Sequence, residues 1–297
     1  MASCAALLHD EERAVAILSF QSRVVCGGVG HAGAEFALRR LGWDVWPIDT
    51  VVLSNHPGHG AWRGGIRPAD ELARLVDGLS ALGVLTDCRA VLSGYLGSAD
   101  NGLVVLDAVS RVRRARSDAP WCCDPVMGDR ETGLYVAQSV ADFLRTHAFA
   151  ADILTPNHFE LEILAGRRLP TLASVLAAAA ELRGRGPRLL LVSSVQATDL
   201  PPEGIGTVLT TDDGGWIAET PRLALAAKGA GDLLAALFLA RWLECGDAPT
   251  ALGLAVAATW AVVRHTAADP QAHDLALVAA QRWLERPPDE PVVRRLA

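Results

Sequence analysis

Apolar runs of strand length alternate with segments of helical period along most of this chain. Ala14 to Phe20 reads as a strand, Ala34 to Leu41 as a helix and Trp43 to Val52 as a second strand. Residues 68–82 carry a helical pattern, with Pro68 near its start and Gly83 at its end, where each residue type is favoured. A strand over Ala90–Ser93, a helix over 98–114 and a strand over Trp121–Val126 follow. Residues 136–148 then read as a helix and Asp152–Leu154 as a short strand. Glu160 to Ala165 lies on a helix, 172–184 forms another, and Arg188–Val192 is a continuous apolar strand. There the pattern changes: Ile205–Thr211 and Trp216–Glu219 flank Asp212-Asp213-Gly214-Gly215, which predicts an antiparallel hairpin. From residue 230 onward the chain reads as helical. Such alternation predicts an α/β fold with a central, mostly parallel sheet flanked by helices on both faces.

Composition narrows the class. At 297 residues, 51% hydrophobic and 21% charged, the chain can build a sizeable core. Residues 1–13 read as a peripheral segment and 14–297 as a single domain, because the Pro/Gly-rich stretches 53–68 and 196–206 have only loop length. The net charge of −7 weighs against a nucleic-acid partner or an anionic membrane surface. The six cysteines form no CxxC, which suits a reducing cytoplasm better than a disulfide framework or a zinc site. The first residues lack a basic segment of signal-peptide type. The Leu/Ala-rich runs 171–182 and 249–263 are interrupted or too short to span a membrane.

The sharpest chemical signal is Gly229-Ala230-Gly231-Asp232, followed directly by the apolar run Leu233–Leu239. Free backbone N–H groups at a helix N-terminus bind anions. A carboxylate in that setting suits proton removal, so the pairing suggests phosphoryl transfer with Asp232 as base. The alternative is an ordinary helix start whose Gly and Asp are terminal residues. A second glycine pattern, Gly28-Val29-Gly30-His31-Ala32-Gly33 with Asp49 downstream, has the outline of a dinucleotide fingerprint. That fingerprint needs its first glycine directly after a strand. Gln21–Cys26 intervene here, so the pattern is read as something else.

Several polar segments fall at predicted strand ends, where open parallel sheets build their sites. They are Gln21-Ser22, Ser54-Asn55-His56, Ser93-Gly94-Tyr95, Asp124-Pro125-Val126-Met127-Gly128-Asp129 and Thr155-Pro156-Asn157-His158-Phe159-Glu160. With the phrases Q-S-x-V-V, L-S-G-Y-L-G-S, C-D-P-V-M-G and E-L-E-I-L, the chain resembles the ribokinase-like superfamily, and within it the pyridoxal (vitamin B6) kinases. The resemblance runs from about Ala14 to Trp283. It implies a ribokinase-like kinase domain, ATP as co-substrate with Mg²⁺, and transfer of the γ-phosphoryl group to the 5′-hydroxymethyl of pyridoxal, pyridoxine or pyridoxamine. It also implies a homodimer, and it leaves room for a monovalent cation such as K⁺.

The resemblance assigns roles by position. Gly229, Ala230 and Gly231 would hold the transferred group beside Asp232. Ser22 would hydrogen-bond the pyridine ring, Val29 and Tyr95 would line its pocket, and His56 would lie beside it. Asp124 and Glu160 would organise Mg²⁺, with Asp129 completing the acidic set. Thr155, Asn157, Ser193, Ser194 and Lys228 would approach the nucleotide. Plainer readings stand beside these: a core tyrosine for Tyr95, a loop-stabilising histidine for His56 and a turn serine for Ser22. Asp129 reads equally as a turn residue, Glu160 as a first-turn carboxylate and Lys228 as a solvated lysine. The family commonly carries Ser-Asn-His-Thr where this chain has Ser54-Asn55-His56-Pro57, and an aromatic residue where it has His59. Proline removes a hydroxyl and an N–H there, which bears on substrate preference. The alternatives are a hydroxymethylpyrimidine kinase, a non-catalytic B6-vitamer-binding protein of kinase fold and, last, a Rossmann oxidoreductase.

Overall fold

The structure, a computed structural model, describes residues 15–223, 227–288 and 291–296. The segment read as peripheral, 1–13, lies outside the described residues. Strand β1 (Ala16–Cys26) leads through α1 (His31–Arg40) to β2 (Asp44–Asn55) and the short β3 (Gly64–Ile66). There follow α2 (Ala69–Leu82), β4 (Cys88–Ser93), α3 (Ala99–Ala115), β5 (Trp121–Cys123) and the small hairpin β6 (Gly128–Asp129) and β7 (Gly133–Leu134). Next come α4 (Gln138–His147), β8 (Ile153–Leu154), α5 (His158–Ala165), α6 (Leu172–Arg183), β9 (Leu189–Val195), β10 (Gly204–Thr211) and β11 (Gly214–Pro221). The chain ends with α7 (Ala230–Cys245), α8 (Ala248–Thr266), two one-turn helices, α9 (Leu277–Ala280) and α10 (Arg282–Glu285), and β12 (Val293–Leu296).

Ten strands form one sheet in the order β12-β11-β10-β9-β8-β5-β4-β1-β2-β3. The run from β9 through β8, β5, β4 and β1 to β2 is parallel, and the pairings outside it are antiparallel. Both faces are covered, so the strands are apolar on both sides. Leu18 and Phe20, Val91, Cys123, Leu154, and Leu190 with Val192 face the core under α2–α6. Their neighbours Ile17, Ala90 and Leu92, Cys122, Ile153, and Leu189 with Leu191 face the core under α1 and α7–α10. This two-residue alternation is the reason the strands read as continuous apolar runs.

Several elements differ from the sequence expectation, among them β3 within the 53–68 stretch read as loop and the small β6–β7 hairpin. The region after 230 is not wholly helical: Val293–Leu296 pairs antiparallel with β11 at the sheet edge. Four residues are too few for a periodic signal. Strand β1 does not stop at Phe20 but continues to Cys26, paired with β2 throughout. The register slips between Gln21 and Ser22, as at a β-bulge, which re-aims the side chains that follow. Strand order reverses around β1, with β2 on one side and β4 on the other. That switch point opens a crevice at the carboxyl ends of β1 and β4, where such sheets bind ligands.

Candidate active site

Gly229 adopts φ 103°, ψ 0° at the N-cap of α7, and no side chain caps the helix. Its first-turn N–H groups are therefore left for an outside acceptor. A Cβ on Gly229 would lie 2.7 Å from the Gly28 carbonyl oxygen, so the loop packs directly on the glycine-rich turn after β1. A Cβ on Gly231 would meet nothing within 4 Å, and this residue faces open space. Asp232 stands in the first turn, partly buried, and its Oδ2 accepts the Gly30 N–H at 2.8 Å. Burial raises its carboxyl above the ordinary aspartate range, with the Gly30 N–H and neighbouring His31 opposing that shift.

The Gly28–Gly33 turn thus has a use, and the sequence argument against a dinucleotide fingerprint needs correcting. Because β1 runs to Cys26, the glycines do follow a strand directly. What distinguishes the turn is its partners. Gly30 N–H goes to Asp232 and Gly28 N–H to Asp274 Oδ1 at 3.1 Å, so carboxylates occupy the donors a pyrophosphate would need. Asp49, which a dinucleotide fingerprint would need for the ribose, is held by His31 Nδ1 at 2.7 Å and by Arg23, which also binds Glu35. Those partners hold both Asp49 and Glu35 below the usual carboxylate range against the effect of burial.

The acidic set divides on inspection. Asp124 is buried and meets the Thr155 hydroxyl at 3.3 Å. Burial, then the charges of Glu160 and Asp232, push it well above the usual range. Glu160 is buried too, and its oxygens accept the N–H groups of Met127 (2.8 Å) and Asn157 (2.8 Å). It forms a capping box with Asn157 at the start of α5, and burial raises it to about 7 against those donors. Glu160 therefore ties the Asp124–Asp129 loop to α5, which its residue type alone did not reveal. Asp129 does not join Asp124 and Glu160: its Oδ1 closes a turn through the N–H groups of Glu131 and Thr132, and its Oδ2 pairs with Lys228 Nζ at 3.2 Å. Among the described residues no three His, Cys, Asp or Glu side chains converge to hold a metal ion. Two buried, mutually repelling carboxylates remain as oxygen donors that suit a hard divalent cation completing its shell with phosphate and water.

The residues expected on the nucleotide side lie at the ends of β8 and β9. Asn157 caps α5 through Oδ1 and binds the Gly128 carbonyl through Nδ2 at 2.8 Å, so its amide is committed to the loop. Asn157 and Ser193 are bridged in parallel. Ser194 is the only described non-glycine residue at positive φ (55°), a strain that persists where surrounding structure enforces it. Of the residues expected on the substrate side, Ser22 underlies Gly30, Val29 is buried and Tyr95 packs partly buried against the core. His56 caps the turn Pro57–His59, its Nδ1 accepting the Gly58 N–H at 3.0 Å. Burial lowers the His56 pKa, with the nearby His59 and Lys228 lowering it further and Asp274 opposing.

Two residues at the site carried no sequence signal. Asp274 reaches Gly28 from 246 residues away, which only the fold can bring about. Tyr135, about half exposed, lies near the acidic residues: partial desolvation and the charges of Glu160, Asp232, Asp124 and Asp129 push its pKa up.

Residues 79–274 match the family described as phosphomethylpyrimidine kinase. A pyridoxal kinase of Rubrobacter xylanophilus is 45% identical over 283 residues, covering 95% of this chain and 97% of that protein. A pyridoxal kinase of Deinococcus radiodurans is 45% identical over 278 residues, covering 91% and 93%. Among solved structures, pyridoxal kinase from Leishmania donovani in complex with ADP and ginkgotoxin superposes with a TM-score of 0.89 at 30% identity, covering 95% of this chain and all of that one. The same enzyme with ADP and pyridoxine gives a TM-score of 0.89 at 29% identity. Nearly the whole of each chain is covered, so the chain belongs to the pyridoxal kinase family of the ribokinase-like fold.

Proposed function

We propose that this enzyme transfers the γ-phosphoryl group of ATP to the 5′-hydroxymethyl group of pyridoxal, giving pyridoxal 5′-phosphate and ADP. Pyridoxine and pyridoxamine are the related acceptors. One observation carries the mechanism: Asp232 lies beside uncapped helix N–H groups and is aimed by the Gly30 N–H. In this reading Asp232 takes the proton of the attacking hydroxyl, and the Gly229, Ala230 and Gly231 N–H groups hold the charge developing on the phosphoryl oxygens. A carboxyl raised by burial accepts that proton more readily than an exposed one. Ser22, Val29, Tyr95 and His56 orient the ring, a mixture of apolar walls and few hydrogen bonds that suits a flat heteroaromatic.

On the nucleotide side, Asp124 and Thr155 offer oxygens, and Ser193, Ser194 and Lys228 approach the phosphates, with Asn157 and Glu160 fixing the loop that carries Asp124. Bound Mg²⁺ would neutralise phosphate charge, and in this reading the negative charge of Asp124, with that of Glu160 behind it, would attract the ion. A monovalent cation such as K⁺ and a homodimeric assembly belong to the same proposal, resting on the family resemblance. Cys88, Cys122 and Cys123 are buried free thiols, in keeping with a reducing compartment such as the cytoplasm. The experiment is identification of the product formed from ATP, Mg²⁺ and pyridoxal. Phosphate on the 5′ oxygen is expected; ADP release without a phosphorylated vitamer would overturn the reading.

Pro57 makes a specific difference. It occupies the first position of an exposed turn, where its fixed φ fits, and brings no hydroxyl. A neutral hydrogen bond contributes about 0.5–1.5 kcal/mol net. Pro57→Thr is therefore expected to lower the pyridoxal KM about two- to tenfold with kcat little changed. An unchanged or higher KM would show that the substrate gains no contact there.

A further inference from the structure

Asp274 sits where three segments of the site meet. Its Oδ2 pairs with His59 Nε2 at 2.8 Å, each side chain about a quarter exposed. Its Oδ1 accepts the Gly28 N–H at 3.1 Å. Its backbone is bridged in parallel to Lys228, the residue before the N-cap of α7. The His59 ring also rests against the His273 ring, with centroids 5.2 Å apart. One carboxylate thus joins the His56–Gly60 loop to the glycine turn, and two residues further on that turn aims Asp232 through the Gly30 N–H.

We propose that the His59–Asp274 pair is a latch that holds the substrate loop across the vitamer site, making Asp274 a positioning residue for the reaction. The inference rests on the reading of the site as a pyridoxal kinase, and it goes beyond that reading by assigning work to two residues outside the phosphoryl-transfer machinery. His59 touches the loop's anchor rather than the anion loop, so its loss acts on the substrate loop. Asp274 touches both the loop and the glycine turn, so its loss reaches further. Without the latch, binding of pyridoxal has to order the loop, and the penalty falls on KM.

The test compares His59→Ala, His59→Gln, Asp274→Ala and the double variant. A partly exposed side-chain hydrogen bond is worth about two- to tenfold in an equilibrium. His59→Ala is expected to raise the pyridoxal KM by that factor and leave the ATP KM within error. His59→Gln, which can still donate to Asp274, should restore the parent value. Asp274→Ala should raise KM similarly and also lower kcat, because the Gly28 anchor is gone. The double variant should be no worse in KM than Asp274→Ala alone. Hydrogen exchange on the ligand-free protein reads the latch without turnover. The amides of Gly58, His59 and Gly60, now bonded within the turn, should exchange faster in both single alanine variants. Unaltered exchange together with an unaltered pyridoxal KM would overturn the latch. Faster exchange in the variants of a parent that cannot phosphorylate pyridoxal would overturn the functional reading instead.

Discussion

Asp232→Asn is expected to lower kcat about 10²–10⁴-fold, the usual contribution of a positioned base. The asparagine keeps an oxygen for the Gly30 N–H, so the turn and the start of α7 should hold their places. ATP affinity and the urea midpoint should stay close to the parent values. The pH profile adds a second sign. Asp232 must be ionised to act, and burial raises its carboxyl, so activity of the parent should fall with acidification at a pH above the ordinary aspartate range. In the variant the Asp232 contribution to that limb should be lost, leaving only the part that Asp124 and Glu160 supply. A folded variant with near-parent kcat would remove Asp232 as the base.

Gly231→Leu is the second large effect, expected to lower kcat about 10²–10³-fold, as for loss of an oxyanion-type donor site. The contrast with Gly229 gives the reason. A side chain at Gly229 would strike the Gly28 carbonyl, and its φ of 103° disfavours anything but glycine, so a change there damages folding. Gly231 has nothing within 4 Å of a built Cβ and a helical backbone, so leucine fits without strain. It fills the space over the helix N-terminus that the phosphoryl group has to enter. Stability should therefore be nearly unchanged while turnover collapses. Normal kcat in the folded variant would place phosphoryl transfer elsewhere.

Periodicity and turn chemistry were enough to read the architecture. Strands buried on both faces gave continuous apolar runs, as at 189–192, and Pro68 with Gly83 marked the ends of α2. The failures sit where polar residues occupy strand positions. Gln21, Ser22 and Arg23 hid the second half of β1; Arg23 is there to bind Asp49 and Glu35, and the other two lie at the crevice. Residue types pointed to the acidic set, yet partners decided their roles. Asp129 went to a turn and to Lys228, and Glu160 went to backbone N–H groups. The Asp274–His59 contact has no local pattern, because it joins loops more than 200 residues apart in sequence.

The most direct measurement is kcat/KM of the parent protein for pyridoxal and for hydroxymethylpyrimidine, side by side with saturating ATP and Mg²⁺. Both acceptors present a primary alcohol on a flat ring, so the chemical step is the same and only ring recognition differs. The account predicts a clear preference for pyridoxal, with pyridoxal 5′-phosphate as product. A higher kcat/KM for hydroxymethylpyrimidine would contradict it and make Pro57 the mark of a changed specificity.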